Sequence, residues 1–460
     1  MPRRLTRVIV SGVLLAFIVS FLFGCSSKDA PGKRRVTDQD KPNIIFVLTD
    51  DLDTRLLQDH LENYPNLQKL AANGTTFENA FVTNPVCCPS RATILRGQYS
   101  HNHGTLTNTP PQGGFERFKA LGREKSTVAT WLLSEEYQTV LIGKYLNGDP
   151  PGYDPPGWEK FSGPGGAYNT DGLAAKATEF IKHTKGKRRP FFMYIGTRWP
   201  HWPAEPAPRH AEAFPGASVP RPPSFNEGDV SDKPTWVREK ASLTPTEIEE
   251  LDAFYRKRLR SMLSIDEMVG RIVDSLAHSD NLDNTYILFS SDNGLLIGEH
   301  RLGEEKGAKD LAYAESMRVP LIVRGPGVPK GRTLEHLVLN NDFAPTFADL
   351  GGAGTPSFVD GRSLVPLLSA DPPSSTNWRS AFLVENYQYS VYEYRAIRTK
   401  DHLWVEYTSG ERELYDLRED PHELTSLHET APDALKQDLS SKLDELRNCS
   451  QESCRKAEGF

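Results

Sequence analysis

Cysteine is scarce, with five in 460 residues, and no Cys/His spacing of the kind that holds zinc occurs. Zinc-ribbon and dense disulfide-scaffold readings therefore have nothing to stand on. Positive charge is in deficit as well: 54 Lys and Arg against 61 Asp and Glu give a net charge of −7. A general nucleic-acid binder normally carries a basic patch, so that class is excluded, while a local basic pocket for an anion is not. Long apolar runs are missing apart from Val8 to Phe23, which is short against the roughly 20 residues that cross a bilayer. No internal repeat is evident, which sets solenoids aside. What remains is a long, soluble, globular chain, 38% hydrophobic and 25% charged, with room for one large domain and a smaller one.

The N-terminus reads as an export signal. Arg3, Arg4 and Arg7 precede the apolar run, which ends Leu22-Phe23-Gly24-Cys25 before two serines. This resembles a bacterial lipobox, which implies a signal peptide over 1–25 and a lipid on Cys25. The protein is then expected to be exported and held by lipid on the outer face of the bacterial cytoplasmic membrane. An uncleaved anchor helix is the alternative and leads to the same side. Residues 26–42, polar and charged, suit a flexible tether.

Past the tether, two apolar runs of strand length end in oxygen-bearing side chains. Asn43 to Leu48 runs into Thr49-Asp50-Asp51, and Asn284 to Ser291 runs into Asp292-Asn293-Gly294. Continuous apolar runs mark strands buried on both faces, as in parallel sheets covered by helices. The C-terminal ends of such strands are where α/β folds place ligands. Adjacent carboxylates repel unless a cation sits between them, and oxygen ligands suit calcium or magnesium. An aspartate capping the next helix is the competing reading of Asp50-Asp51 taken alone.

Asn84 to His103 carries the sharpest pattern. Cys87-Cys88-Pro89-Ser90-Arg91 leads into a helix over Ser90 to Leu95 that Gly97 stops. Cys87 and Arg91 are four apart, so a helical turn puts guanidinium beside sulfur. A helix N-terminus also favours negative charge. A nucleophile working on an anion fits this arrangement, against the alternative of a buried structural thiol.

Cys87 to Gly97 resembles the signature of the type I, formylglycine-dependent sulfatases, with the following His-Asn-His closest to the N-acetylglucosamine 6-sulfatase branch. The resemblance runs from about Asn43 to about Leu427. It implies an alkaline-phosphatase-like α/β sandwich: a large mixed, mostly parallel sheet with helices on both faces, then a small C-terminal antiparallel sheet with a helix. It implies that Cys87 becomes formylglycine (3-oxoalanine) through a formylglycine-generating enzyme. Asp50, Asp51, Asp292 and Asn293, completed by residue 87, would hold one divalent cation, calcium or else magnesium. Arg91, Lys144 (in Gly143-Lys144-Tyr145-Leu146-Asn147), His201 (in Pro200-His201-Trp202-Pro203) and one late lysine would serve the sulfate. Counting forward from Asp292 favours Lys306; counting back from Tyr313 favours Lys309; Lys306 is preferred. Leu146 stands where many relatives have histidine. The implied substrate is a sulfated small molecule or glycan.

The rest of the chain is read as support. Glu247 to Ala277 is a helix with a regular apolar stripe, taken as core packing. Pro203 to Thr246, rich in proline and charge, is expected to be a long surface loop. The composition shifts near residue 370, which divides a catalytic region, 43–370, from a C-terminal subdomain, 371–460. There Ala381–Val384, Tyr394–Thr399, His402–Glu406 and Glu411–Asp416 form the small sheet and Pro432 to Arg447 a helix. Cys449 and Cys454 can pair in an oxidising compartment, and Cys88 is expected beside the site. Two other classes stay open: a phosphonate or phosphate ester hydrolase using the same chemistry, and a non-catalytic glycan-binding lipoprotein.

Overall fold

Asn43 to Thr49 is buried at all seven positions, and its side chains feed two cores in alternation. Ile44, Phe46 and Leu48 join one apolar cluster and Ile45 and Val47 the other, so this strand lies in a sheet covered on both faces. Burying each such side chain contributes roughly 1.5–3 kcal/mol.

The computed structural model describes residues 41–163, 169–303, 306–388 and 393–459. The expected signal peptide, Cys25 and nearly all of the tether lie outside them. In chain order the strands are β1 (Asn43–Thr49), β2 (Thr75–Phe77), β3 (Ala80–Phe81), β4 (Gln138–Gly143), β5 (Lys160–Ser162), β6 (Phe191–Gly196), β7 (Thr285–Ser291), β8 (Leu321–Arg324), β9 (Arg332–Leu334), β10 (Val338–Leu339), β11 (Ala381–Asn386), β12 (Tyr394–Thr399), β13 (His402–Tyr407) and β14 (Arg412–Asp416). Eight form a mixed sheet in the order β5-β4-β6-β1-β7-β8-β2-β9, with β3 and β10 pairing separately. β1 is central and runs parallel to both neighbours, with Leu48 beside Gly196 of β6 and Thr49 beside Ser291 of β7. The residues that follow β1 and β7 therefore leave the same edge of the sheet side by side.

Helices cover both faces. Pro245–His278 and Thr170–Lys182 pack on one, with Leu251, Met262, Ile272 and Ile181 in its core. Cys87–Arg96, Val128–Ser134 and Phe343–Gly351 lie on the other, with Leu95, Leu132 and Phe347. The 34-residue helix starts two residues before its expected position. Thr244 and Glu247 close a capping box around Pro245, whose missing N–H costs nothing there.

β11 to β14 form a four-stranded antiparallel sheet. Helix Asp433–Arg447 buries Leu439, Leu443 and Leu446, and Cys449 pairs with Cys454. The rings of Phe81 and Phe382 meet at 5.1 Å. The described residues belong to one compact unit. The change at residue 370 is thus one of sheet topology, with apolar packing continuous across it. Among the described residues no helix is long and apolar enough to cross a membrane.

One expectation needs correcting. Pro203 to Thr246 is not simply a surface loop: Val219, Val230, Lys233 and Val237 are buried. The Lys233 ammonium donates to the Tyr415 hydroxyl at 3.0 Å and to the carbonyls of Glu423 and Leu424 at 2.6 and 2.8 Å. The segment is stitched to the C-terminal sheet by polar contacts, which apolar periodicity does not reveal.

Candidate active site

Helix Cys87–Arg96 is buried at every position and begins after extended Val86. It opens three residues earlier than expected, so Cys87 is itself the first helical residue. Pro89 is tolerated because the first turn has free N–H groups anyway. The Asn108 side-chain oxygen accepts from the Cys88 N–H at 2.8 Å, which covers one of them. Gly97 ends the helix with a left-handed φ of 66°, and a Cβ there would press on Val359, Pro345 and the Asn341 carbonyl.

The two acidic strand ends converge on this helix. Arg91 Nε donates to Asp292 Oδ2 at 2.7 Å, and Arg91 Nη2 lies 3.6 Å from Asp50 Oδ2. Asn293 Nδ2 donates to Asp51 Oδ1 at 2.6 Å, and the Asp51 N–H donates to Asp292 Oδ1 at 3.3 Å. The Cys87 thiol donates to Asp50 Oδ1 at 3.4 Å. Lys144 Nζ bonds Asp50 Oδ2, and His201 Nε2 stands 3.7 Å from Asp51 Oδ2. Asp50, Asp51, Cys87, Arg91, Lys144, His201, Asp292 and Asn293 thus share one site.

Lys306 does not join them. Lys309 Nζ donates to Cys87 Sγ at 2.8 Å and to Asp51 Oδ1 at 2.7 Å, whereas the Lys306 ammonium stands 5.2 Å above the Trp202 ring. The cause is the path of the chain. Leu296 and Ala308 exchange both backbone hydrogen bonds at 2.8 and 2.9 Å, and this returns residue 309 to the end of β7. Gly298, His300, Arg301, Gly303 and Gly307 all have positive φ in between, so no regular spacing survives from Asp292 to the lysine.

Electrostatics at the site are set by burial and by the cations. Burial pushes the Asp50 carboxyl up, but Lys144, His201, Arg91 and Lys309 outweigh it and hold the group below the usual carboxylate range. Asp51 is lowered in the same way, chiefly by Lys309 against burial. Burial and the Asp50 charge raise Asp292 and the Cys87 thiol. An unaltered Cys87 is therefore protonated at neutral pH and a poor nucleophile.

These residues fit a divalent cation. Ligand atoms of Asp50, Asp51, Cys87 and His201 lie within 4.8 Å of one another, and Asn293 Oδ1 is buried without a partner. An orphaned carbonyl beside carboxylates is what an oxygen-liganded ion satisfies. Two further clusters among the described residues fit less well. In the one around His101 the two cysteines form the disulfide. In the one around His300, Glu315 and Glu423 are already paired with Arg55 and Arg398.

Two family models match the chain: Sulfatase over residues 42–353, and the C-terminal region of N-sulphoglucosamine sulphohydrolase over 298–449. The chain belongs to the sulfatase family. An arylsulfatase of Volvox carteri is 33% identical, over 90% of this chain and 76% of its own. The N-acetylglucosamine-6-sulfatase of Homo sapiens is 32% identical, over 90% of this chain and 86% of its own. A solved structure of a protein in complex with its substrate D-glucosamine-2-N,6-O-disulfate superposes with a TM-score of 0.76 at 28% identity, covering 88% and 97% of the two chains. The sandwich and the small C-terminal sheet are those of alkaline-phosphatase-like sulfatases.

Several residues that brace this sulfatase site escape sequence inspection. Arg258 is fully buried, ion-paired to Asp53 at 3.0 Å and bonded to the Asp51 carbonyl. Its signal is a charge on the apolar stripe of helix Pro245–His278. Tyr194, inside apolar β6, accepts from Arg91 Nη1 at 3.3 Å. Ser291 Oγ accepts from the Leu52 N–H at 2.9 Å and so fixes the turn after Asp51. No local signal marks the last two.

Proposed function

We propose that the protein hydrolyses sulfate esters of a sugar, using formylglycine made from Cys87 by a formylglycine-generating enzyme and one divalent cation, calcium or else magnesium. The observation that carries this reading is the place of Cys87: first in a buried helix, 3.4 Å from Asp50 and 2.8 Å from Lys309. The sugar is supported by the human relative's name and by the glucosamine disulfate bound in the solved structure. In the same reading the protein is exported and lipid-anchored through Cys25, as the N-terminal sequence implies.

Hydrated formylglycine at position 87 would supply two hydroxyls on one carbon: one whose oxygen bonds to sulfur as the alcohol leaves, and a second that would give its proton to water and re-form the aldehyde as the carbon–oxygen bond to sulfate breaks. Asp50, Asp51, Asp292, Asn293 and residue 87 would hold the cation, which would supply positive charge beside the attacking group. Asp292, kept in place by Arg91, accepts the proton of the attacking hydroxyl. Lys144 and His201 face the sulfate and offset charge on its oxygens. Lys309, and not Lys306, offers a proton to the leaving alcohol oxygen. Leu146 is apolar and takes no part in proton transfer.

Three measurements test this. Mass analysis of the peptide containing residue 87 from active protein should find it lighter than the encoded cysteine; an unaltered mass in active protein overturns the modification. Chelator should abolish sulfate release and added calcium restore it; full activity in chelator overturns the cation. Parallel assays on sulfated sugars and on phosphate and phosphonate esters should favour the sulfates, and the reverse preference overturns the assignment.

A further inference from the structure

A cleft of about 1000 Å³ leads from Asp50, Lys144 and His201 to solvent. That is several times what a sulfate group fills, so its outer walls serve whatever carries the sulfate. One wall residue is anomalous. Trp202 is 45% exposed, and it is the one large apolar side chain so exposed among the described residues. Its near neighbour Trp199 is buried at 1%, so the segment is able to hide an indole and does not hide this one. The Lys306 ammonium stands 5.2 Å over this ring, yet the indole still offers surface to water, at a cost in hydrophobic stabilisation on the scale of the large aromatics.

Trp202 is also fixed relative to the chemistry. Its carbonyl accepts from His201 Nδ1 at 2.6 Å, and the Ala204 N–H donates to the His201 carbonyl at 2.8 Å. His201 in turn stands 3.7 Å from Asp51. The same cleft is lined by Asn147, Asp149, Asp154 and Glu205. Asn147 Oδ1 is buried with no hydrogen-bond partner. Carboxylates and a free amide oxygen are acceptors, suited to hydroxyl donors.

A flat apolar surface combined with acceptors matches one kind of group: a pyranose ring, with a C–H face and a rim of hydroxyls. An aryl group has the flat face without the rim, and an open-chain alkyl group has neither. We infer that Trp202 is the platform on which the sugar ring bearing the sulfate stacks, with Asn147 and the cleft carboxylates receiving its hydroxyls. This rests on the sulfate-ester reading above and names the group on the far side of the ester oxygen.

The experiment uses the full modified chain, Trp202→Ala and Trp202→Phe, a glucosamine 6-sulfate as substrate, and inorganic sulfate as a competitor that fills only the anion site. Loss of one aromatic contact is worth about a factor of ten in binding. Trp202→Ala should therefore raise KM for the sugar sulfate about tenfold and leave the inhibition constant of inorganic sulfate unchanged, and Trp202→Phe should recover most of the loss. An unchanged KM, or a sulfate constant that rises in step with it, overturns the platform. If no ester is turned over, the sulfatase chemistry itself has failed. Calorimetric binding of the sugar sulfate then decides the platform alone: about tenfold weaker in Trp202→Ala upholds it, and equal affinity overturns it.

Discussion

Arg91 and Arg379 are both fully buried, and each meets two carboxylates. Arg379 donates from all three nitrogens: Nε to Glu458 at 2.8 Å, and Nη1 and Nη2 to Asp342 at 2.7 and 2.8 Å. Its partners are saturated too. Asp342 also accepts the N–H groups of Leu339 and Arg362, and Glu458 accepts from the Tyr99 hydroxyl at 2.7 Å. Arg91 is bound less completely, since its Nη2 has no hydrogen bond and Asn293 Oδ1 nearby is likewise unpaired. Burial is equal, but one network is closed and the other is left with polar atoms unpaired. Burying charge is costly unless it is paired and hydrogen-bonded. The closed network has met that condition and holds the molecule together, while the open one keeps capacity for a ligand.

The comparison can be broken in four ways. Cys87→Ala should lower turnover by at least about 10³-fold without moving the melting temperature, read by sulfate release and circular dichroism on one preparation. Arg379→Ala should do the opposite. It strands Asp342, while Glu458 keeps Arg362 at 2.7 Å, so stability should fall by roughly 3–5 kcal/mol in denaturant titration, with kcat of the folded fraction unchanged. Lys309→Ala should cost about 10²–10³-fold in kcat and Lys306→Ala less than about tenfold; equal losses would contradict the placement of these lysines. The smallest effect is a pH dependence. The charge of Glu385 outweighs burial and lifts His101 to about 9 from 6.5, and His101 holds Glu385 at about 2 against 4.5. A raised imidazole pKa stabilises below the unfolded value and loses that contribution as pH rises through the folded one; a lowered carboxyl pKa does the reverse on the acid side. The pair should therefore contribute fully between pH 4.5 and 6.5 and fade as pH climbs to about 9. The melting-temperature gap between wild type and His101→Gln should shrink over that upper range.

The framework was legible because its central strands are buried on both faces. Strands Asn43–Thr49 and Thr285–Ser291 are built on the apolar stretches Ile44 to Leu48 and Tyr286 to Phe289, and each ends where the site begins. Most of the site followed from motifs carried by those strand ends and by one helix. Which late lysine reaches Cys87 was not legible, because the position of Lys309 depends on a backbone pairing, Leu296 with Ala308, across a segment of left-handed turns. Arg258 and Lys233 were missed because a buried cation is recognisable only by partners distant in sequence: Asp53 for one, Tyr415 and two carbonyls for the other.

Tyr99, three residues past the end of the Cys87 helix, is tied to a carboxylate 359 positions further along the chain. Cys87 is left 1% exposed by the finished fold. An enzyme that must grip this thiol has no access to it once those distant pieces meet. The modification proposed for this residue would therefore have to come before folding closes over it, and a chain that folded first would keep its cysteine.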